Sequence, residues 1–168
     1  DTHKGDWQYA WDFDIIDENS KSYRTPGAEL QDFYCYNLPV IAPASGYVVK
    51  VEDGIMDNRI NEVNTFQNFG NTVIIKHNEH IYIKLSHLKS GSIKVSEGSY
   101  VQAGSVIGCI GNSGRSPEPH LHFQIQSTPE IAAKTIKYPI AYYLKRNQNV
   151  FELKTFSYPQ KGDIVKNK

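Results

Sequence analysis

The sequence has few of the residues that mark several common protein classes. Its 168 residues include two cysteines, one methionine and two tryptophans, and no apolar run reaches the roughly 18 residues of a membrane-spanning helix. The cysteines, Cys35 and Cys109, are too few for the disulfide framework of a small secreted domain, and neither belongs to a Cys-x-x-Cys pair. We therefore expect a globular chain held together by its own apolar core.

A net charge is also absent, because 18 basic side chains balance 18 acidic ones. This balance argues against nucleic acid as the main partner. The distribution is uneven: residues 1–34 hold eight acids and three bases, whereas residues 134–168 hold eight bases and two acids. A basic end could favour an anionic wall or membrane surface, but we interpret it as ordinary solvation.

Two histidines stand two residues apart in the β-prone run His120-Leu121-His122-Phe123. On a strand, residues i and i+2 point to the same face, so both imidazoles would leave one side while Leu121 and Phe123 enter the core. Imidazole nitrogen is the commonest protein ligand of zinc. The pair therefore indicates a metal site, and the alternative is two surface histidines on an amphipathic edge.

Short alternating runs separated by Gly, Asn, Ser and Pro predict an all-β fold, an antiparallel β-sandwich or barrel-sandwich hybrid with long loops and little helix. One such run puts His87 at a strand end, and another puts Asp12 opposite Phe13. The polar segment 53–69 is expected to be a long loop that could wall a groove. The stretch from Glu130 to Lys134 is the only plausible helix.

Five ordered motifs carry a family resemblance between about residues 3 and 126. They are Pro39–Val49, Gly70–His77, Leu85–Leu88, Gly98–Gly108, and Gly111–Gly114 followed by Pro119–Phe123. They resemble the "pV-A-xx-G-xV", "G-N-x-V-x-I-x-H", "Y-x-H-L", "G-xx-V-xx-G-xx-I-G" and "G-x-(S/T)-G…HLHF" motifs of the lysostaphin/LytM-type zinc metallopeptidases, which cut peptidoglycan cross-links.

The resemblance implies a role for each matching residue. His122 and Asp12 would ligate zinc, and His87 and His120 would be catalytic. A histidine commonly stands four residues before the aspartate in this family, but here that position is Gln8. A variant form has a His-x-Gly lead-in nine residues before the aspartate, which fits His3, so His3 is the predicted third ligand.

The same resemblance sets the expected organisation and location. The metallopeptidase domain would span residues 1–150, with a final strand and tail in residues 151–168. The partner would be a peptidoglycan peptide, no transmembrane segment is expected, and a monomer is favoured. Because peptidoglycan lies outside the cytoplasm, we expect the protein to be periplasmic, wall-associated or secreted. A chain that opens at Asp1 without an initiator methionine is what a mature or excised domain would have.

Zinc held by two imidazoles and one carboxylate keeps a fourth position open for water, as catalytic sites do. The chain has no His-Glu-x-x-His helix, so glutamate is not the expected base. Two histidines that are not ligands can divide the work. One deprotonates the water, and the other stabilises the oxyanion or protonates the leaving amine. The sequence leaves open which histidine does which.

Two other functions fit parts of the sequence. A catalytically silent relative that binds peptidoglycan or regulates a partner cell-wall hydrolase is suggested by Gln8. A biotinyl or lipoyl carrier barrel is suggested by two strand-rich segments, but no lysine stands in a suitable turn. Other candidate groups have plainer interpretations: His77 and His80 as hairpin surface, Ser113 as a turn residue, and Asp14, Asp17 and Glu18 as a solvated strand exit.

Overall fold

A computed structural model of the chain describes residues 3–167. Within that range it contains two short 3-10 helices, Gly5–Trp7 and Leu30–Asp32, and eleven strands whose pairings are antiparallel. The strands are β1 Trp11–Phe13, β2 Pro39–Ile41, β3 Gly46–Glu52, β4 Asn71–Asn78, β5 Ile81–Leu88, β6 Tyr100–Val101, β7 Val106–Cys109, β8 Leu121–Gln126, β9 Ile140–Asn147, β10 Val150–Ser157 and β11 Val165–Lys166. The predicted all-β antiparallel class is confirmed.

The main sheet has six strands in the order β1-β8-β5-β4-β3-β6, and β2 pairs with β7 in a separate ladder. Its central strands are rich in β-branched residues, which suit a buried pleated surface. The core is formed by residues from both ladders: Cys35, Val40, Ala42, Val48, Val73, Ile75, Leu85, Leu88, Val101, Ile107 and Ile110. Leu121 and Phe123 pack against this core, as their alternation with the two histidines predicts.

Strand β8 lies between β1 and β5, and this order decides where the functional side chains meet. His122 is the direct register partner of Asp12 on β1 and of Ser86 on β5. His87 follows Ser86 at the end of β5. Residues far apart in sequence therefore converge at one end of three neighbouring strands.

The chain divides into two compact units, Asp1–Ile136 and Lys137–Lys168. The second unit is a three-stranded sheet in the order β10-β9-β11. The predicted boundary at residue 150 falls at the start of β10, and the proposed division into 1–150 and 151–168 stays a prediction. Within residues 3–167, no helix has the length and apolar character needed to span a bilayer.

The expected helix from Glu130 to Lys134 is wrong, because the segment forms a turn with one i to i−3 backbone bond, from Ala133 N to Glu130 O. Beyond that bond, the carbonyl groups in and just before the segment accept from buried side chains. Gln126, Gln124 and Lys84 are the donors, and the accepting carbonyls belong to Thr128, Glu130, Ile131 and Ala133. Side-chain donors thus replace the helical ladder that a five-residue segment is too short to nucleate.

Candidate metal centre and active site

The three predicted metal ligands lie together, with Asp12 on β1, His122 on β8 and His3 before the first 3-10 helix. Asp12 Oδ1 is 3.0 Å from His122 Nδ1 and 3.3 Å from His3 Nε2. One ligand atom from each residue lies within 4.8 Å of the other two. Ligand atoms at the corners of a tetrahedron with bonds of about 2.0 Å are about 3.3 Å apart. The spacing of the two imidazoles around Asp12 therefore suits zinc.

The segment that carries His3 is held to the sheet by backbone contacts. Thr135 N and Thr135 Oγ1 donate to Asp6 O at 2.7 and 3.0 Å, and Thr135 Oγ1 accepts from Tyr9 N at 3.1 Å. Asp6 lies within the 3-10 turn Gly5–Trp7, where Gly5 has a φ of +57°. Gln8 lies just after this turn and is exposed.

The surroundings of His122 favour a bound cation. Its ring is 4% exposed and has an oxygen acceptor beside each nitrogen, with Gln124 Oε1 at 3.0 Å from Nε2 and Asp12 Oδ1 at 3.0 Å from Nδ1. A neutral imidazole has only one N–H. Burial lowers the pKa of His122, although the bond with Asp12 opposes this shift. The single ring proton can serve only one of these acceptors, and a metal ion bound at the other nitrogen would supply the positive charge there.

Asp12 supplies the negative charge of the group. Burial opposes ionisation of its carboxyl, but the close contacts with His122 and His3 and the nearby His120 outweigh that effect. The pKa of Asp12 therefore lies well below its usual range. The carboxylate remains ionised at neutral pH, as a metal ligand must be.

The two predicted catalytic histidines lie beside this group. The rings of His87 and His120 are in edge contact with centroids 4.8 Å apart, and His87 is 5.7 Å from the His122 ring. His120 Nε2 lies 3.6 Å from Asp12 Oδ1. The structure thus brings all five predicted site residues together.

Backbone carbonyls orient both of these rings. His87 Nδ1 lies 2.8 Å from Ser113 O, and His120 Nδ1 lies 2.9 Å from Glu118 O. A carbonyl only accepts, so each Nδ1 carries the proton and each Nε2 carries a lone pair. Burial and the neighbouring histidines lower the pKa of His87 well below its ordinary value, which keeps that ring neutral.

The turn from Gly111 to Gly114 supports His87 from below. Ser113 Oγ donates to Leu88 O at 2.7 Å and accepts from Asn71 N at 2.9 Å. Ser113 is buried and is a structural turn residue, as predicted. Gly114 has a φ of +79°, and its backbone passes so close to Gly70 that a Cβ would collide with it.

Several residues that support the site were not predicted from the sequence. Gln124 and Gln126 continue the alternation of His122 along β8, and both are fully buried. Lys84 is also fully buried, with its ammonium 3.0 Å above the centre of the Phe69 ring, and burial lowers its pKa to about 6. Period-two alternation could have placed the glutamines on the histidine face, but the same rule predicts a solvent-facing lysine.

The other candidates lie apart from this site. His77 and His80 are exposed at the hairpin between β4 and β5, where they were predicted. Asp17 Oδ1 accepts from Asn19 N and Lys21 N in a local turn, which fits the predicted solvated strand exit. Across residues 3–167, the group of His3, Asp12 and His122 is the one found to suit a metal ion.

Comparison with known proteins identifies the family. The model of peptidase family M23 matches residues 31–134. The chain belongs to this family. The match includes His87, His120 and His122 but begins after His3 and Asp12, so the assignment of these two of the three ligands depends on the geometry of the site.

Two relatives match part of the chain. It is 32% identical over 97 residues to the cell division protein DipM of Caulobacter vibrioides, and the matched region covers 58% of this chain and 15% of that protein. It is 32% identical over 84 residues to the peptidoglycan DD-endopeptidase ShyC of Vibrio cholerae, which covers 50% and 18% respectively. The chain therefore spans less than a fifth of these relatives.

Solved structures include the catalytic domain of the antimicrobial peptidase lysostaphin from Staphylococcus simulans. That domain is 24% identical to this chain, with a TM-score of 0.45, and the comparison covers 68% of this chain and 84% of that one.

Proposed function

We propose that this protein is a zinc-dependent endopeptidase that hydrolyses the peptide cross-links of bacterial peptidoglycan. The observation that carries the proposal is the contact between a metal-competent group, His3, Asp12 and His122, and two further histidines whose free nitrogens border it. Membership of peptidase family M23 and the peptidoglycan endopeptidases among its relatives support the substrate class.

His3, Asp12 and His122 would hold the zinc ion. A zinc ion bound by three protein ligands activates water at neutral pH and polarises the scissile carbonyl. Two neutral imidazoles and one carboxylate leave a net positive charge at the centre, which suits the negative charge that develops on the carbonyl oxygen.

His87 and His120 would handle the protons. Because Ser113 O and Glu118 O hold the Nδ1 protons of the two rings, each Nε2 can accept a proton from the attacking water. The ring that becomes protonated can then donate from Nε2 to the leaving amine or to the oxyanion. The 4.8 Å separation of the two rings lets both reach one scissile bond.

The loop from Asp53 to Phe69 would form one wall of the peptide groove. Its backbone and side chains bond to the turns that hold the catalytic histidines: Asn58 Nδ2 to Gly114 O and Ser116 O, and Asn64 N to Gly114 O. Phe66 is 99% exposed on this loop. An unpaired aromatic ring on a wall fixed to the active site can stack on a bound peptide or sugar.

The glutamine at position 8, where a histidine ligand commonly stands, does not indicate a silent relative. His3 Nε2 lies 3.3 Å from Asp12 Oδ1 and can take the place of that ligand. With both imidazole ligands and both further histidines present, the donor set needed for hydrolysis is complete. The protein would act outside the cytoplasm, where peptidoglycan lies.

The test is hydrolysis of purified peptidoglycan sacculi by the zinc-loaded protein, with the released peptides identified by mass spectrometry. We expect new amino and carboxyl termini in the cross-link peptides, loss of release in EDTA, and recovery on addition of zinc. His77→Asn provides a matched control outside the site. A protein that binds zinc and sacculi but releases no peptide would instead be a silent binding member of the family.

A further inference from the structure

We propose that Gln124 is a positioning residue that, together with Gln126, selects the ring tautomer of His122 in which Nδ1 is free to bind metal. This inference rests on the metal site proposed above and adds two residues outside the ligand set. The two glutamines form a directional hydrogen-bond relay that begins at backbone carbonyls and ends at the His122 ring.

The relay follows from the alternation of β8. His122, Gln124 and Gln126 stand two residues apart, so their side chains share one face of the strand. Gln124 and Gln126 are fully buried. A buried amide that lacks partners costs free energy, so both side chains must be hydrogen-bonded at each end.

The direction of the relay is set at its far end. Gln126 lies 2.7 Å from Thr128 O and 2.8 Å from Glu130 O. Both partners are backbone carbonyls, which can only accept, so the Gln126 atom that faces them is the NH₂ group. Gln126 Oε1 must therefore point the other way, towards Gln124.

The same reasoning carries through Gln124. Its nearest atom to Gln126 Oε1, at 2.7 Å, must be a donor, and this NH₂ group also reaches Ala133 O at 3.2 Å. Gln124 Oε1 is left facing His122 Nε2 at 3.0 Å. An amide oxygen only accepts, so Nε2 of His122 carries the ring proton.

The consequence appears on the opposite edge of the ring. With the proton held at Nε2, a neutral His122 has its lone pair at Nδ1, the nitrogen that faces Asp12 Oδ1. Without the relay, the carboxylate would attract the proton to Nδ1 and the metal-binding lone pair would be lost. The glutamines thus counteract a competing hydrogen bond within the ligand set itself.

The first experiment tests the tautomer without any metal. In the metal-free wild-type protein, nitrogen NMR of ¹⁵N-histidine-labelled protein should show His122 protonated at Nε2. In Gln124→Leu, the Asp12 carboxylate should draw the ring proton to Nδ1. A His122 protonated at Nδ1 in the metal-free wild type overturns the proposal.

The second experiment separates positioning from stability. Gln124→Leu should weaken zinc binding by about 10–100-fold, the usual effect of losing a partner behind a metal ligand. Gln124→Glu keeps an acceptor for His122 but sets a carboxylate oxygen against Gln126 Oε1. It should therefore lower the melting temperature while zinc binds as tightly as in the wild type, or more tightly.

Ser86→Ala is the matched control, because Ser86 is the buried register partner of His122 and bonds to Thr72 rather than to the ring. It should leave zinc affinity within about threefold of the wild type. Equal zinc affinity in Gln124→Leu and Ser86→Ala would overturn the relay. If Gln124→Leu weakens zinc binding and Ser86→Ala does not, but the zinc-loaded wild type hydrolyses no peptide, the relay stands and only the proposed function is refuted.

Discussion

Asp12 and His122 are direct partners on adjacent antiparallel strands, and their side chains meet with Oδ1 and Nδ1 3.0 Å apart. The contact joins residues 110 positions apart in the sequence. It places a fully ionised carboxylate beside a buried imidazole, and His3 and His120 approach the same oxygen. This one carboxylate oxygen is the point around which the predicted metal ligands gather.

Asp12→Asn should lower zinc affinity strongly while leaving the fold intact. The amide keeps the size of the side chain and removes the charge that attracts the cation. Zinc at about 100 times its dissociation constant stabilises a protein by about 2.7 kcal/mol, so the wild type should melt several degrees higher with zinc and the variant should not. Asp14→Asn is the control, because Asp14 is exposed two residues away. An equal zinc-induced shift in both variants would refute the role of Asp12.

His3→Ala should reduce zinc occupancy, and Gln8→Ala should not. His3 Nε2 lies 3.3 Å from Asp12 Oδ1, whereas Gln8 is exposed, and imidazole is a better zinc donor than a carboxamide. Metal content after dialysis, measured by atomic emission, gives the ranking. The reverse ranking would show that the third ligand has been assigned to the wrong residue.

The sequence alone predicted the parts of the site that depend on strand periodicity and motif order. His120 and His122 share a strand face, and His87 ends the neighbouring strand. Register cannot be predicted from local sequence, so the pairing of Asp12 with His122 was only implied by the family resemblance. The approach of His3 depends on a turn held by Thr135, which is more than 125 residues from the chain start.

The environment of buried polar residues could not be predicted from the sequence. A lysine within an alternating strand predicts a solvent-facing side chain, yet Lys84 is fully buried against Phe69 and Ile131 O. The stretch from Glu130 to Lys134 has helix-forming composition, but its carbonyls accept bonds from side chains of the sheet. In both places tertiary hydrogen bonds override what local sequence favours.

Gly114→Ala should be more damaging than Gly98→Ala, although both glycines have a left-handed φ, of +79° and +84°. Each substitution carries a backbone cost of about 1–2 kcal/mol. Only at Gly114 would the new Cβ also meet backbone, that of Gly70, Asn68 and Gln67, whereas the space at Gly98 is open. Urea unfolding should show the larger loss for Gly114→Ala.

Gly114→Ala should also lower the rate of peptidoglycan hydrolysis, because Ser113, next to Gly114, orients His87. Equal stability and equal activity in Gly114→Ala and Gly98→Ala would show that the turn at Gly114 tolerates displacement.

Lys84 should make stability rise with pH. Burial holds the pKa of Lys84 at about 6 in the folded state, against 10.5 for an ordinary lysine. Between these values the unfolded chain binds more protons than the folded one, so this contribution is fully present above about pH 10.5 and is lost as pH falls towards 6. The slope from this group is up to about 1.4 kcal/mol per pH unit.

Urea unfolding in EDTA at pH 7 and pH 9 measures this effect. In Lys84→Met, the free energy of unfolding should increase less between pH 7 and pH 9 than in the wild type, and it should be higher at pH 7. Lys134→Met removes a lysine whose side chain is 76% exposed, and it should keep the wild-type increase. If the free energy of unfolding increases as much in Lys84→Met as in the wild type, another group causes the pH dependence.

His87 and His120 should be required for catalysis but not for zinc binding. Alanine at the buried His87 would leave a cavity and an unpaired Ser113 O, so asparagine is the better replacement. Its amide can donate to that carbonyl, and asparagine tolerates the φ of +61° found there. His87→Asn and His120→Asn should each retain one zinc per chain yet lower hydrolysis of peptidoglycan peptides by about 10²–10⁴-fold, the range for a lost acid-base group.

His77→Asn is the control, because His77 Nδ1 also contacts a backbone carbonyl, Ser45 O, but the residue is exposed and outside the site. It should match the wild type in zinc content and in rate. The double variant of His87 and His120 should lose less than the product of the two single losses, since groups that act on one transition state are not additive. Loss of zinc in His120→Asn with retention in His122→Asn would exchange their roles, and full activity in both His87→Asn and His120→Asn would refute the proposed proton transfers.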